Sequence, residues 1–161
     1  MMPIRLTAGS DVASVENKEY FPLYLFFDKS VENIEHVGYY YNDTDLLEFS
    51  VDKESRAIRK IVLTLSQHYA ISQSKVIVPS DCVIGSINML VNSHIDCSTF
   101  LTTVHTNGIA IKLSDQKALK NYRMDKVILS LNEYDNITQV IILDLSPNNI
   151  SHTIQELEYG C

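Results

Sequence analysis

Hydrophobic and polar residues alternate in two neighbouring stretches of the chain, 47–51 and 61–65, on either side of the polar segment 52–56. A period of two places every second side chain on one face of a strand, so each stretch is typical of a strand with one buried face. Two such strands joined by a short polar turn favour a hairpin. We therefore predict a β-hairpin from about 45 to 66.

Two further hairpins are predicted from apolar runs that flank turn residues. The runs 99–104 and 109–113 lie on either side of a turn that contains Asn107-Gly108. Asn-Gly favours tight hairpin turns because both residues tolerate a positive φ, so we predict a hairpin over about 99–113. A third alternating pair of strands predicts a hairpin over about 125–145.

Helical patterns complete the predicted fold. Apolar residues in 83–91 recur at the spacing of a helix, after a capping Ser80, and residues 114–122 favour a short helix. Ser146-Pro147 is a typical helix start, which predicts a C-terminal helix over about 147–158. The expected fold class is α+β: an antiparallel sheet built from hairpins, with two or three helices packed on it, in a single domain spanning 1–161.

The first and third hairpins align without gaps at an offset of 80 residues, with five identities over 46–66. One interpretation is that two copies of a β-rich half have fused into a pseudo-symmetric structure. The other is that any two hairpins share a period of two and so resemble each other by chance. The sequence leaves both interpretations open.

The chain has 161 residues and a formal net charge of −7. This charge argues against a general nucleic-acid binder, which needs positive charge to neutralise phosphates. Residues 1–54 contain eleven acidic and four basic residues, and the remainder is neutral, so the whole excess lies in the first third. Such a segment suits a basic protein partner.

The N-terminal residues lack the apolar run of a signal peptide, and no stretch is long enough to span a bilayer. Three widely spaced cysteines do not form a typical disulfide framework. We therefore expect a cytoplasmic protein that does not associate with a membrane.

No standard catalytic motif is present, and we expect no enzyme activity, no cofactor and no metal. His94, Cys97, His105 and Cys82 do not have the paired spacing of a zinc site. An alternative hypothesis is a small cytosolic hydrolase that uses Cys97 or a histidine; in the first case Cys97 is the nucleophile and His94 or His105 the base.

Tyrosines and carboxylates occur together in the acidic third. Tyrosine supplies rigid contact area and carboxylates steer a charged partner, which is a combination that suits a protein interface. Consecutive strand residues face opposite ways, so at least one residue of the Tyr39-Tyr40-Tyr41 run should be exposed. The predicted partner-binding residues are Glu32, Glu35, Tyr39, Tyr41, Asp43 and Asp45.

Two segments resemble parts of small bacterial immunity proteins, over about a quarter of the chain. Residues 42–54, which read NDTDLLEFSVDKE, and the strand Ile58–Leu65 are similar to a hairpin in which "LLEI-ID" continues through "DK-TG" into "I--ITL". Ile137–Leu157, a strand followed by Leu-Ser-Pro and a helix, is similar to the C-terminal end of these proteins. Ser55-Arg56 replaces the usual Thr-Gly and leaves the geometry of that turn open.

This resemblance implies an immunity protein of a contact-dependent growth inhibition system. Such a protein is a cytoplasmic antitoxin that binds the C-terminal domain of its cognate toxin. We expect this domain to be basic, and a nuclease is one candidate for it. It acts by occluding the active site or an essential surface of the toxin. A third hypothesis is a non-catalytic adaptor that self-associates through the charge-poor segment 61–111. The oligomeric state stays open.

Overall fold

The computed structural model describes residues 4–7, 12–90 and 93–159. Within these ranges the chain is mostly β-sheet, with one helix, α1 (Pro147–Tyr159), at its C-terminal end. The strands in chain order are β1 (Ile4–Thr7), β2 (Ser14–Val15), β3 (Leu23–Phe26), β4 (Ile34–Tyr41), β5 (Asp45–Asp52), β6 (Ile58–Ser66), β7 (Tyr69–Ile71), β8 (Cys82–Ile84), β9 (Ser86–Met89), β10 (His94–Asp96), β11 (Leu101–Val104), β12 (Ile109–Lys112), β13 (Lys120–Met124), β14 (Val127–Leu131) and β15 (Ile137–Ile142).

A six-stranded sheet contains the first hairpin at its centre, in the order β10-β4-β5-β6-β3-β2. All neighbours are antiparallel except β10, which lies parallel to β4. Leu47, Phe49 and Val51 of β5 are fully buried because the period of two turns all three towards the core.

A seven-stranded sheet contains the other two hairpins, in the order β7-β11-β12-β15-β14-β13-β8. Its outermost strands, β7 and β8, lie parallel to their neighbours. Ile128 and Ile141 point away from the core, but they are buried because Val76 of the segment 72–81 packs over them. The centre of this sheet is therefore covered on both faces.

One hydrophobic cluster lies between the two sheets and takes side chains from both, among them Leu25, Phe49, Ile111 and Leu129. β1 and β9 form a separate two-stranded sheet. Helix α1 packs Leu157 against the same cluster.

The expected α+β class is wrong, because the structure has two mixed sheets and, in its described part, a single short helix. The segment predicted as a helix over 83–91 instead forms β8 and β9, and Val91 lies outside the described residues. Apolar positions four apart fit both the helical period and the strand period, and β-branched residues such as Val83 and Ile84 favour strands. The segment 114–122 is also not a helix. Residues 114–119 form neither helix nor strand, and β13 begins at Lys120.

The three predicted hairpins are present as β5–β6, β11–β12 and β14–β15. The Asn-Gly turn does not have the backbone conformation on which its prediction was based, since Asn107 does not adopt a positive φ. Its side-chain Oδ1 accepts the N–H of Val76 at 3.0 Å. A Cβ at Gly108 would collide with the carbonyl oxygen of Ile142, so glycine is required there by close packing.

The C-terminal helix is confirmed, together with its predicted cap. The hydroxyl of Ser146 accepts the N–H of Asn149 at 3.1 Å, which satisfies one of the free donors of the first turn. The helix ends at Tyr159, one residue beyond the prediction.

Strands β2 to β6 and strands β11 to β15 repeat one arrangement. The strand order is β4-β5-β6-β3-β2 in one sheet and β13-β14-β15-β12-β11 in the other. If the strands of each set are numbered along the chain, both orders are third, fourth, fifth, second, first, and all neighbours are antiparallel. Each set also receives a parallel strand beside its third member, β10 on β4 and β8 on β13. The similarity between the halves therefore extends well beyond the two hairpins.

The register agrees as well. Leu23–Phe26 pairs with Lys60–Leu63 in the same way that Ile109–Lys112 pairs with Gln139–Ile142. The central hairpins of the two sheets, β5–β6 and β14–β15, have a bulge at the corresponding place, which follows Ser50 in the first and Ser130 in the second.

The gapless offset of 80 residues holds only for the first strand of each central hairpin. Phe49 pairs with Ile61, whereas Leu129 pairs with Val140, so the second strands correspond at an offset of 79. The shared strand order and register support the interpretation of two copies, with one residue fewer in the second hairpin.

Candidate functional site

Tyr39 was predicted to contact a partner, but the structure places it in the core. Only 3% of its surface is exposed, and its ring meets Phe49 edge-on at 5.6 Å between centroids. Burial raises the pKa of the Tyr39 hydroxyl well above its usual value. The period of two along β4 turns this residue inward, so it is not part of the surface.

Tyr41 and Asp45 flank the turn between β4 and β5, and both contact other residues of the protein. Asp45 is 1% exposed, and its carboxylate accepts hydrogen bonds from Thr44 Oγ1 at 2.6 Å and from the backbone N–H of His68 at 3.2 Å. His68 Nδ1 lies 2.7 Å from the same carboxylate, and the ring of Tyr41 meets the His68 ring edge-on. These residues stabilise the turn, and Asp45 is not available to a partner.

The other three predicted residues do not form one patch. Glu35 pairs with Arg56 at 2.8 Å, so its charge is already compensated. Glu32 and Asp43 are exposed, but they lie beyond opposite ends of the eight-residue strand β4. A strand of that length separates them by about 25 Å.

Tyr40 points outward, whereas Tyr39 is buried and the half-buried Tyr41 packs against the core. The Tyr40 ring lies across Gly38, where a Cβ would collide with it. The ring also stacks on His94, with 4.3 Å between the ring centroids. Tyr40 and His94 belong to the outer face of the six-stranded sheet.

A histidine on the same outer face has a hydroxyl and a carboxylate beside it. His36 Nδ1 lies 3.1 Å from Ser50 Oγ and 3.3 Å from Glu48 Oε1. A catalytic relay needs the acid and the hydroxyl on different ring nitrogens. Here both contacts use one nitrogen, so this arrangement does not have the geometry of a catalytic triad.

Cys97, the nucleophile of the hydrolase hypothesis, lines a cleft of about 550 Å³ with Tyr39, Asp96 and Tyr134. Burial, and then the charge of Asp96, raise the pKa of the Cys97 thiol to about 12. An active cysteine requires the opposite shift, because the thiolate is the nucleophile.

The two candidate bases have different surroundings. His94 Nε2 lies 2.9 Å from Asp96. His105 lies in the turn between β11 and β12, where its Nδ1 is buried without a hydrogen-bond partner. In the part of the chain that the structure describes, no three His, Cys, Asp or Glu side chains come together as a metal site would need.

Exposed tyrosines and carboxylates do meet, but at a place that the sequence did not indicate. We name it the Glu-Tyr surface, and it consists of Glu16, Glu19, Tyr20, Glu156 and Tyr159. Tyr20 is 70% exposed and Tyr159 is 81% exposed. Glu156 and Tyr159 are three residues apart and share one side of α1.

The loop and the helix that form the Glu-Tyr surface are joined by hydrogen bonds. The N–H of Tyr20 donates to Glu156 Oε2 at 3.2 Å, and the hydroxyl of Thr153 donates to the carbonyl of Pro22 at 2.7 Å. His152 Nε2 lies 2.9 Å from the carbonyl oxygen of Lys18. The helix therefore holds the loop 16–22 in one conformation.

Tyr20 has a φ of 74°, in the left-handed region that bulky residues rarely adopt. Strained conformations of this kind persist where the surroundings over-determine them, and they cluster at functional sites. At Tyr20 the conformation directs a large aromatic side chain into solvent.

The charges of the Glu-Tyr surface are only weakly balanced. Lys18 is the one base within 12–28, and its ammonium lies over the ring of Tyr24, 4.4 Å from the centroid. The last turn of α1 contains no basic residue, so the negative end of the helix dipole adds to the acidic side chains. A cationic partner would be attracted to this end of the molecule.

A weak sequence signal was available for this surface. Tyrosine follows glutamate at Glu19-Tyr20, Glu133-Tyr134 and Glu158-Tyr159, and each of these tyrosines is exposed. The sequence alone does not show that the first and last of these pairs lie near each other in the fold.

The charge-poor segment 61–111 is divided between core and surface. Its first residues belong to the mostly buried strand β6. At the edge of the seven-stranded sheet, Val83 and Ile84 of β8 are exposed, and so are Ile77 and Val78 in the preceding segment. These exposed apolar side chains lie in or next to an edge strand, where a second copy could pack.

No helix within the described ranges is long and apolar enough to cross a membrane. A comparison with protein-family models and a comparison with curated proteins found no match to this chain.

Proposed function

We propose that the protein is an immunity protein, which binds the C-terminal domain of a toxin of the contact-dependent growth inhibition type and neutralises it by covering its active site or an essential surface. The observation that carries the proposal is the Glu-Tyr surface, where Tyr20 and Tyr159 are exposed beside three carboxylates. The resemblance of residues 42–65 and 137–157 to immunity proteins supports it. The protein would act in the cytoplasm, where such toxins reach their targets.

The chemistry of the surface favours a basic toxin domain. A domain that binds nucleic acid needs cationic side chains at its active site, and carboxylates complement them. Opposite charges raise the rate of association, and rigid tyrosines contribute contact area at little cost in conformational entropy. Because α1 already holds the loop of Tyr20, little ordering is needed on binding.

Inhibition without catalysis agrees with the rest of the molecule. Burial keeps the Cys97 thiol protonated at neutral pH, and His36 contacts Ser50 and Glu48 through the same nitrogen. Neither group has the arrangement that nucleophilic catalysis needs.

The test uses the toxin domain encoded by the adjacent upstream gene. We expect it to co-purify with this protein, and we expect cells that make this protein to survive its expression. Glu16→Lys combined with Glu19→Lys should slow association by about tenfold at low salt and less at high salt.

The matched control is Glu54→Lys combined with Glu133→Lys, which makes the same change of charge at exposed positions outside the Glu-Tyr surface. We expect it to leave the association rate within about twofold. Absence of binding and of protection would disprove the proposed function. Equal effects of the two double variants would show that the Glu-Tyr surface is not the interface.

A second candidate is a non-catalytic adaptor that forms dimers through the exposed apolar residues in and near β8. Ile77, Val83 and Ile84 are exposed, and this part of an otherwise acidic molecule has little charge to oppose contact between two copies. Light scattering at micromolar concentration distinguishes the candidates. A dimer that Ile84→Lys converts to a monomer would support the adaptor, and a monomeric protein would exclude it.

A further inference from the structure

The two halves of the fold differ at one edge. In the seven-stranded sheet, β7 lies outside β11 as a parallel strand. The strand equivalent to β11 in the other half is β2, and none of the described residues pairs with the outer edge of β2. Among the described residues, the repeat therefore has a strand at this position in one half and none in the other.

The equivalence of β2 and β11 is set by register. Ser14 pairs with Phe26 as Leu101 pairs with Lys112, and Phe26 and Lys112 occupy corresponding positions of their sheets. Val15 consequently corresponds to Thr102, and Asn17 corresponds to Val104.

The backbone groups that bind β7 identify their counterparts. The N–H of Thr102 donates to the carbonyl of His68 at 3.0 Å, and the carbonyl of Val104 accepts the N–H of Ser72 at 2.8 Å. The corresponding groups are the N–H of Val15 and the carbonyl of Asn17. Outside the pairing of β2 with β3, none of the described residues forms a backbone hydrogen bond to either group.

These groups face outward. The N–H of Glu16 bonds to the carbonyl of Tyr24 at 2.9 Å, so the groups of the residues on either side point away from β3. The open stretch starts at Val15, because the N–H of Ala13 is already bound by Asp125 Oδ2 at 2.9 Å. Ser14, Glu16 and Asn17 are all exposed.

The side chains around the open edge select the occupant. Glu16 belongs to the edge itself, and Glu19 and Tyr20 follow in the adjoining loop. An extended segment with basic side chains would pair its backbone with β2 and its charges with these carboxylates.

We propose that a basic extended segment of the partner adds to β2 as a parallel strand, in the place that β7 occupies in the other half. This inference rests on the proposed function, since the segment belongs to the toxin domain. One carbonyl of the segment accepts the N–H of Val15, and an N–H further along donates to the carbonyl of Asn17. The protein then has the same strand order in both halves.

Amide hydrogen exchange in the complex with the toxin domain tests this directly. Exchange at Val15 should slow by at least about tenfold on binding, because its N–H becomes part of a sheet. Exchange at Ala13 and at Thr102 should stay within about twofold, because both amides are bonded before the partner arrives.

Val15→Pro removes the donor at an edge position where proline is tolerated, and it should weaken binding by about tenfold. The unfolding midpoint of the free variant shows whether the fold is retained, and the exchange experiment needs no substitution. If the toxin domain binds while Val15 exchanges as before, the strand addition is wrong and the proposed function stands. If the domain does not bind at all, both are wrong.

Two peptides give a readout that does not depend on the toxin. A nine-residue peptide of alternating Lys and Val should protect Val15 from exchange, and one of alternating Glu and Val should not, because of Glu16 and Glu19. Equal protection by both would overturn the basic character of the partner. Protection that rises with protein concentration alone would show that a second copy of this chain fills the edge.

Discussion

The backbone N–H of Tyr20 donates a hydrogen bond to Glu156 Oε2 at 3.2 Å, across 136 residues of the chain. This contact joins the loop after β2 to the last turns of α1, and it holds a bulky residue at a φ of 74°. It therefore links the C-terminal helix to the conformation of the surface that we propose for binding.

Glu156→Ala should loosen the loop 16–22, whereas Glu158→Ala should not. Both substitutions remove a negative charge from the C-terminal turn of α1. Removing such a charge by itself stabilises a helix by about 0.3–1 kcal/mol. Only Glu156 binds the N–H of Tyr20, a contact that contributes about 0.5–1.5 kcal/mol. Amide exchange at Tyr20 measures the difference, and identical exchange in the two variants would contradict the role given to Glu156.

Tyr20→Asn should separate stability from binding. Asparagine tolerates a positive φ, so the free energy of unfolding should stay unchanged or rise by up to about 1 kcal/mol. Affinity for the toxin domain should fall, because the exposed ring is lost. The control is Tyr159→Asn, which removes another exposed ring, here from a helix, and should not stabilise the protein. Thermal unfolding and titration of the partner measure the two effects.

Asp52 makes the stability of the first hairpin depend on pH. The backbone N–H groups of Ser55 and Glu54, and then the guanidinium of Arg59, hold the pKa of Asp52 below its usual value of 3.8. Because the folded-state pKa is the lower one, this stabilisation is complete above the unfolded-state value and is lost as the pH falls through the folded-state value.

Asp52→Asn should therefore unfold at lower denaturant concentration than the wild type at pH 7, and the two midpoints should converge in strong acid. Asp43→Asn, in the exposed turn between β4 and β5, is the control. A difference at pH 7 that persists unchanged at pH 2 would mean that the effect of Asn is steric and not electrostatic.

Cys97→Ala should leave the protection of cells unchanged. The pKa of the Cys97 thiol, raised to about 12 by burial and Asp96, predicts slow alkylation of this residue at pH 7.5 and faster alkylation as the pH rises. A hydrolase that uses Cys97 would lose all activity in this variant, so loss of protection with normal folding would favour the hydrolase hypothesis.

Local patterns were sufficient for the hairpins and the last helix. The turn of β5–β6 and the capping Ser146 depend on neighbours within a few residues, and such signals can be read along the chain. The segment 83–91 could not be assigned in the same way, because its apolar positions fit both periods. This segment forms strands because β8 pairs with β13 and β9 pairs with β1, and both partner strands are distant in sequence.

The sequence alone determined that the chain is rich in hairpins, that its acidic excess lies in the first third, and that its tyrosines accompany glutamates. Tertiary structure decided which of these residues a partner can reach. Tyr39 and Tyr40 are adjacent in the same pattern, and only the direction of the core makes one buried and the other half-exposed. Glu19 and Glu156 share a surface because α1 packs on the loop after β2, a contact that depends on the completed core and not on any local preference.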